Sequence, residues 1–162
     1  MTEFLDNLGK DTFPPAMIDD FVRWCVWEQA RPALVEILAV TGCGDLADEI
    51  ENISSYSKLE KLSGEAGNYA HEMAQRTGPL GISSAEAAAF LAQKLARAAQ
   101  ESDWDPEGVS FFTIQVLGWH GFAGTMFTDM KKKIEATNTA RDQQEQKLAT
   151  LWEQYGAAAD SS

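Results

Sequence analysis

Cysteine and histidine are scarce in this sequence, which has two of each among 162 residues. The cysteines, Cys25 and Cys43, do not form a Cys-x-x-Cys pair, and Cys25 stands between Trp24 and Val26, where a buried thiol is the default. A disulfide between them is allowed but not needed, because a chain of this length can bury a sufficient core without one. We therefore expect a reduced, cytoplasmic protein.

Long apolar runs are missing too. No segment has about 18 uninterrupted apolar residues, and the first residues lack a basic stretch followed by an apolar one. Neither a membrane span nor a secretory signal peptide is predicted.

Positive charge is also in short supply, since 13 basic residues face 25 acidic ones and the formal net charge is −12. Binding to nucleic acids or to an anionic membrane surface is disfavoured, because Lys and Arg supply the affinity in both cases. Residues 1–60 carry 12 of the acids and only four bases. This balance favours a basic protein partner, the alternative being that the charge only maintains solubility.

The sequence lacks the common catalytic motifs. Three residues before His71 stands Asn68, and three before His120 stands Leu117, so the Glu-x-x-His pair of di-metal helical bundles is missing. Gln75 occupies the place of the second histidine of a zinc-protease motif, and no glycine-rich phosphate loop or Gly-x-Ser-x-Gly is found. We predict no catalytic residue, no metal site and no cofactor, and the sequence leans away from an enzyme.

One acidic segment, Asp103 to Gly108, resembles the first half of a calcium loop. The bidentate glutamate that such a loop needs at its twelfth position is replaced by Ile114, and Pro106 occupies the fourth. The segment is better explained as the acidic first turn of a helix, where carboxylates favour the positive helix end.

Apolar residues recur at helical spacing along the whole chain, which predicts an all-α fold. The loops between the patterns are short, so we expect one helical domain over residues 1–156, built as a bundle of about five to seven helices. Residues 157–162 are predicted to be a frayed tail after a last helix that ends at Gly156.

The first long helix begins after Pro15 and has Gln29 on its polar side, and a short helix over residues 2–9 precedes it. Pro32 has no amide hydrogen to donate, so this helix should be kinked or broken nearby. Later helices are predicted to begin at caps, with Asp45, Ser57 and a Ser83–Glu86 capping box as the signals.

Residues 109–127 are ambiguous, because β-branched and aromatic residues are frequent while the spacing from Val109 to Met126 is helical. We predict a helix. Gly118, Gly121 and Gly124 recur every third residue, which favours a tight crossing with another helix over a ligand pocket or a homodimer seam.

Two sets of residues are candidates for function. The first is the acidic run on one helix, which fits either a solvated face or a surface for a basic partner; it comprises Asp45, Asp48, Glu49 and Glu51. The second set would line a ligand pocket or an interface if two helices meet; it comprises His71, Glu72, Trp119 and His120. The alternative without a functional role is that His71 lies at the surface and His120 is packed beside Trp119.

Two further features have a structural explanation that we prefer. The pair Trp24 and Trp27 is expected to belong to the core and not to a pocket or an interface. The basic run 131–133 is expected to be solvated or to pair with acids on the neighbouring turn.

The leading hypothesis is a non-enzymatic, acidic, helical interaction protein. The alanine-rich helices and the acidity are similar in kind to those of the small all-helical immunity proteins of bacterial toxin systems, a likeness of class that no motif carries. The alternative is a helical domain that binds a small molecule or a metal, with its site around His71 and His120. Such a domain could also be an enzyme.

Overall fold

A bundle of α-helices forms in the computed structural model, which describes residues 4–8, 13–77, 80–100, 105–123 and 129–160. The helices are α1 (Pro15–Arg23), α2 (Arg31–Val40), α3 (Gly44–Asn52), α4 (Tyr56–Thr77), α5 (Leu80–Gln100), α6 (Pro106–Ala123) and α7 (Met130–Asp160). The described residues include no strand. The all-α prediction and the expected number of helices are confirmed, as is a single helical domain.

The irregularity predicted near Pro32 takes the form of π-helical turns over Trp24–Ala30, which join α1 to α2. Here the amide of Arg31 donates to the carbonyl of Val26, five residues earlier. Pro32 then falls in the first turn of α2, where a missing amide hydrogen costs little. The chain therefore stays helical from residue 15 to residue 40.

The core lies around this long helix. Its inward side chains are fully buried and include Met17, Phe21, Cys25, Leu34 and Ile37. Helix α5 packs between α4 and α6, while α7 packs along α6 and contacts α1. Helix α3 fills the corner between α2 and α4, so its other side is left at the surface.

Helices α4 and α5 form a closely packed hairpin. The face of α5 is made of buried alanines, and α4 offers Gly64 and Gly67 to it. A β-carbon on Gly67 would lie 2.5 Å from Cε1 of Phe90, so the ring of Phe90 occupies the space of the missing side chain. Gly64 and Gly67, which each cost a helix about 1 kcal/mol relative to alanine, thus allow the close approach of α4 to α5.

The helix predicted over residues 109–127 is confirmed as far as Ala123, and Gly124 lies outside the described residues. Gly118 and Gly121 face α7. A β-carbon on Gly118 would lie 2.6 Å from Cγ2 of Thr137, and one on Gly121 would lie 2.8 Å from the carbonyl oxygen of Lys132. The tight crossing is confirmed and lies within one chain; self-association through residues 118–124 stays a prediction.

A buried polar network joins the π-helical turns to α6 and α7. The amide of Gln144 donates to Oε1 of Gln29 (2.9 Å) and to the carbonyl of Ser110 (3.3 Å), and its Oε1 accepts from the Ser110 hydroxyl (2.5 Å). Gln29 in turn donates to the carbonyl of Ala140 and to Oε1 of Gln143, both at 3.1 Å. Placing Gln29 on the polar side was wrong, because it follows the buried Phe21 and Cys25 at intervals of four residues and so lies on the same inward side of the helix.

Several predicted helix ends also need correction. Only a 3₁₀ turn, Leu5–Asn7, is described within the predicted helix over residues 2–9. Helix α3 begins one residue before Asp45 and has no side-chain cap. Helix α7 continues past Gly156 to Asp160, because three alanines follow the glycine and one helical glycine costs only about 1 kcal/mol.

The two remaining predicted caps lie inside helices. Helix α4 begins at Tyr56, ahead of Ser57, and the Ser55 hydroxyl accepts from the amide of Lys58 (3.4 Å). Helix α5 begins at Leu80, so Ser83 is not its cap.

Both cysteines are buried and free. Burial raises the pKa of the Cys25 thiol well above its ordinary value, which keeps the thiol protonated and unreactive. Over the described residues, no helix has the length and apolar character needed to cross a membrane.

Candidate functional site

The acidic surface of α3 consists of Asp45, Asp48, Glu49 and Glu51, and all four side chains are exposed. At about 100° per residue, Asp45, Asp48 and Glu49 lie on the half of the helix opposite its buried face, and Glu51 lies beside that face. That buried face is formed by Ala47 and Ile50, which pack into the core. With this face of α3 packed into the core, all four carboxylates are left in contact with solvent.

No ion pair within the described part of the chain involves these four carboxylates. Asp45 lies three residues from Asp48 and four from Glu49, which are neighbouring positions on a helix where like charges repel. The last turn of α3 contains no basic residue, although the negative helix end favours one. The arrangement costs a few tenths of a kcal/mol per pair, and a cationic partner would remove that cost.

A groove lies at the edge of this surface, where α3 turns into α4. Its volume is about 320 Å³. We call it the corner groove; its lining residues are Glu49, Asn52, Ile53, Lys58, Lys61 and Leu62. Ile53 and Leu62 are half-buried and supply an apolar floor, whereas the charged residues stand at the rim.

His71 belongs to the α4–α5 hairpin. Its Nδ1 lies 2.8 Å from Oε1 of Glu86, so the residue predicted as part of a capping box instead pairs with a histidine of the neighbouring helix. The side chain of His71 is about half exposed, and Glu72 beside it is exposed. Both residues thus lie at the surface of the hairpin.

His120 belongs to a different pair of helices. Its Nε2 contacts a carboxylate oxygen of Glu36, which links α6 to α2. The neighbouring Trp119 is half-buried, packs edge-on against Phe122 and has the ammonium of Lys133 at 3.8 Å from its ring centre. His120 and Trp119 therefore have partners within the fold.

A second groove, of about 330 Å³, lies between α6 and α7. Its lining includes His120 and Gly121 from α6, and Lys132, Thr139 and Gln143 from α7. His71, Glu72 and Trp119 do not line it. Of the four predicted pocket residues, His120 alone borders this groove.

A metal site finds no support in the geometry of the described residues. They contain no group of three or more His, Cys, Asp or Glu side chains placed to hold an ion. Within the calcium-like segment, residues 103 and 104 lie outside the described ranges, and Asp105 accepts a hydrogen bond from the amide of Gly108 (2.9 Å). Asp105 thus caps α6, as the alternative explanation expected.

The tryptophan pair lies at the border of the core. Trp27 stacks on Tyr56 with ring centres 5.2 Å apart, and the guanidinium of Arg31 lies 4.9 Å from the Trp27 ring. Trp24 stacks on Phe21 at 6.3 Å. Both indoles are half-buried and pack against the core, which agrees with a structural role.

The basic run 131–133 is largely engaged within the fold. The ammonium of Lys132 lies 3.1 Å from a carboxylate oxygen of Glu135, and Lys133 covers Trp119. Pairing with an acid on the neighbouring turn was one of the two expectations for this run.

Comparison of the chain with protein families, with curated proteins and with solved structures finds no match.

Proposed function

We propose that the chain is a non-enzymatic interaction protein whose acidic α3 surface binds a basic segment of another protein. The observation that carries this proposal is the exposure of four carboxylates on one short helix, none of them in an ion pair within the described residues. Charge complementarity of this kind speeds association and selects against acidic partners.

The proposal also draws on the position of α3. The helix packs against α2 and α4 on one side only, so the carboxylates are held by a rigid scaffold. Immunity proteins of bacterial toxin systems are one class of small acidic helical protein with this kind of role, by analogy of class alone. In that version, the basic partner is a toxin.

Reversing charge on α3 should weaken partner capture. Immobilised chain is incubated at low salt with an extract of the cells that naturally contain it, and bound proteins are quantified by mass spectrometry. The double variant Asp48→Lys/Glu49→Lys should retain the partner about tenfold less than the unaltered chain, equivalent to roughly 1.4 kcal/mol.

A matched control uses Asp142→Lys/Glu153→Lys, which makes the same change of net charge at exposed positions of α7. This control should retain the partner as the unaltered chain does. Equal capture by all three proteins, or equal loss in both variants, would refute binding at α3.

A second candidate function is small-molecule binding at the groove between α6 and α7. The observation that favours it is the volume of about 330 Å³, within the range of roughly 300–1,000 Å³ that ligand pockets occupy. His120, Thr139 and Gln143 would supply polar contacts there. In this version His71 and Glu72 take no part, since they do not line the groove.

A further inference from the structure

Charged surfaces set the rate and the selectivity of association, but much of the binding energy comes from a few large side chains that become fully desolvated. The corner groove offers a place for one such side chain. Its volume of about 320 Å³ lies at the small end of the range for ligand pockets, so one or two side chains would fill it. Its floor, Ile53 and Leu62, is apolar and half-buried.

The two walls of the groove carry opposite charge. Glu49 on the α3 wall belongs to the acidic surface, whereas Lys58 and Lys61 stand on the α4 wall. All three side chains are exposed, and no ion pair joins them within the described residues. A basic segment that enters the groove is therefore attracted to one wall and repelled by the other.

We infer that the corner groove anchors one large aliphatic side chain of the partner, next to a lysine or arginine that lies along α3. This inference rests on the proposed function and specifies the partner. The occupant is a basic segment with an apolar anchor and not a uniformly basic one. Lys58 and Lys61 fix its orientation, because they keep cationic side chains away from the α4 wall.

Two synthetic peptides of equal length and charge test the anchor. One has leucine and lysine at the spacing of an amphipathic helix, and the other has serine in place of each leucine. Fluorescence anisotropy gives the affinity of each peptide for the unaltered chain and for Leu62→Ser, which completes a double-mutant cycle.

The unaltered chain should prefer the leucine peptide about tenfold, and Leu62→Ser should reduce this preference to about twofold. If Leu62→Ser prefers the leucine peptide as strongly as the unaltered chain does, the proposed anchor in the corner groove is wrong. Circular dichroism and a melting curve verify that Leu62→Ser is folded. If it is not, a variant at the exposed lysines of the groove, Lys58 and Lys61, tests the inference instead.

The variant Lys58→Glu/Lys61→Glu should bind the leucine peptide about tenfold more tightly, because the repelling wall becomes attractive. Its control is Lys94→Glu/Lys131→Glu, which makes the same charge change at exposed positions outside the groove. If both variants bind the leucine peptide more tightly to the same extent, net charge alone explains the gain, and the proposed orientation of the basic segment is wrong.

The outcomes separate this inference from the proposed function. If Asp48→Lys/Glu49→Lys weakens both peptides while Leu62→Ser leaves the preference for leucine intact, the acidic surface stands and the anchor is wrong. If the α3 variant weakens neither peptide, both proposals are wrong.

Discussion

Replacing Gln144 by leucine should lower the free energy of unfolding by about 3 kcal/mol, although leucine is the more hydrophobic residue. Gln144 is completely buried, and its amide holds Gln29 and Ser110 together. Without it, Oε1 of Gln29 and the Ser110 hydroxyl, both on buried residues, lose these partners. A buried polar group left without a partner costs about 1–3 kcal/mol. Urea denaturation measures the change.

The control is Gln146→Leu, which makes the same substitution at an exposed position of the same helix and should change stability by less than about 0.5 kcal/mol. The double variant Gln29→Leu/Gln144→Leu should cost less than the sum of the two single variants, because it removes both partners of one hydrogen bond. Additive losses, or a Gln144→Leu variant as stable as the unaltered chain, would show that the network does not hold these helices together.

Changing Gly121 to alanine should destabilise the fold by about 2 kcal/mol, against the gain of about 1 kcal/mol that alanine normally brings to a helix. The added methyl group would meet the β-carbon of Ala136 and the carbonyl oxygen of Lys132. Backbone atoms cannot turn aside as a flexible side chain can, so α6 and α7 must move apart. Thermal denaturation should show a lower melting temperature.

Gly44→Ala provides the comparison. A β-carbon at Gly44, the first residue of α3, meets no atom within 4 Å, so this variant should be as stable as the unaltered chain or more stable by up to about 1 kcal/mol. The two substitutions are chemically identical, but only Gly121→Ala is expected to lower stability. If Gly121→Ala also stabilises the protein, α6 and α7 do not cross as closely as described.

The helical class could be predicted from the sequence because apolar residues recur at helical spacing along the whole chain. Even α6, with its β-branched and aromatic residues, kept helical spacing from Val109 onward, and α7 covers one side of it. The helix ends were less predictable, because the prediction rested on which side chains are able to cap. Ser83 is able to cap, yet α5 begins three residues earlier at Leu80.

The candidate site was predictable only in part. The exposed acids of α3 follow from local periodicity, since Ala47 and Ile50 define the buried face. The corner groove depends on the angle at which α4 leaves α3, and no local pattern encodes that angle. Likewise, Gln29 and Gln144 each look like surface residues in isolation, and their pairing across 115 positions became visible only in the folded chain.

The most direct test of the proposed function is to record amide chemical shifts of ¹⁵N-labelled protein as the captured partner is added. The amides of residues 45–62, from α3 through the corner groove, should shift or broaden first, while those around Thr139 and Gln143 stay unchanged. Changes confined to the α6–α7 groove, with α3 unaffected, would contradict binding at the acidic surface and would favour the second candidate.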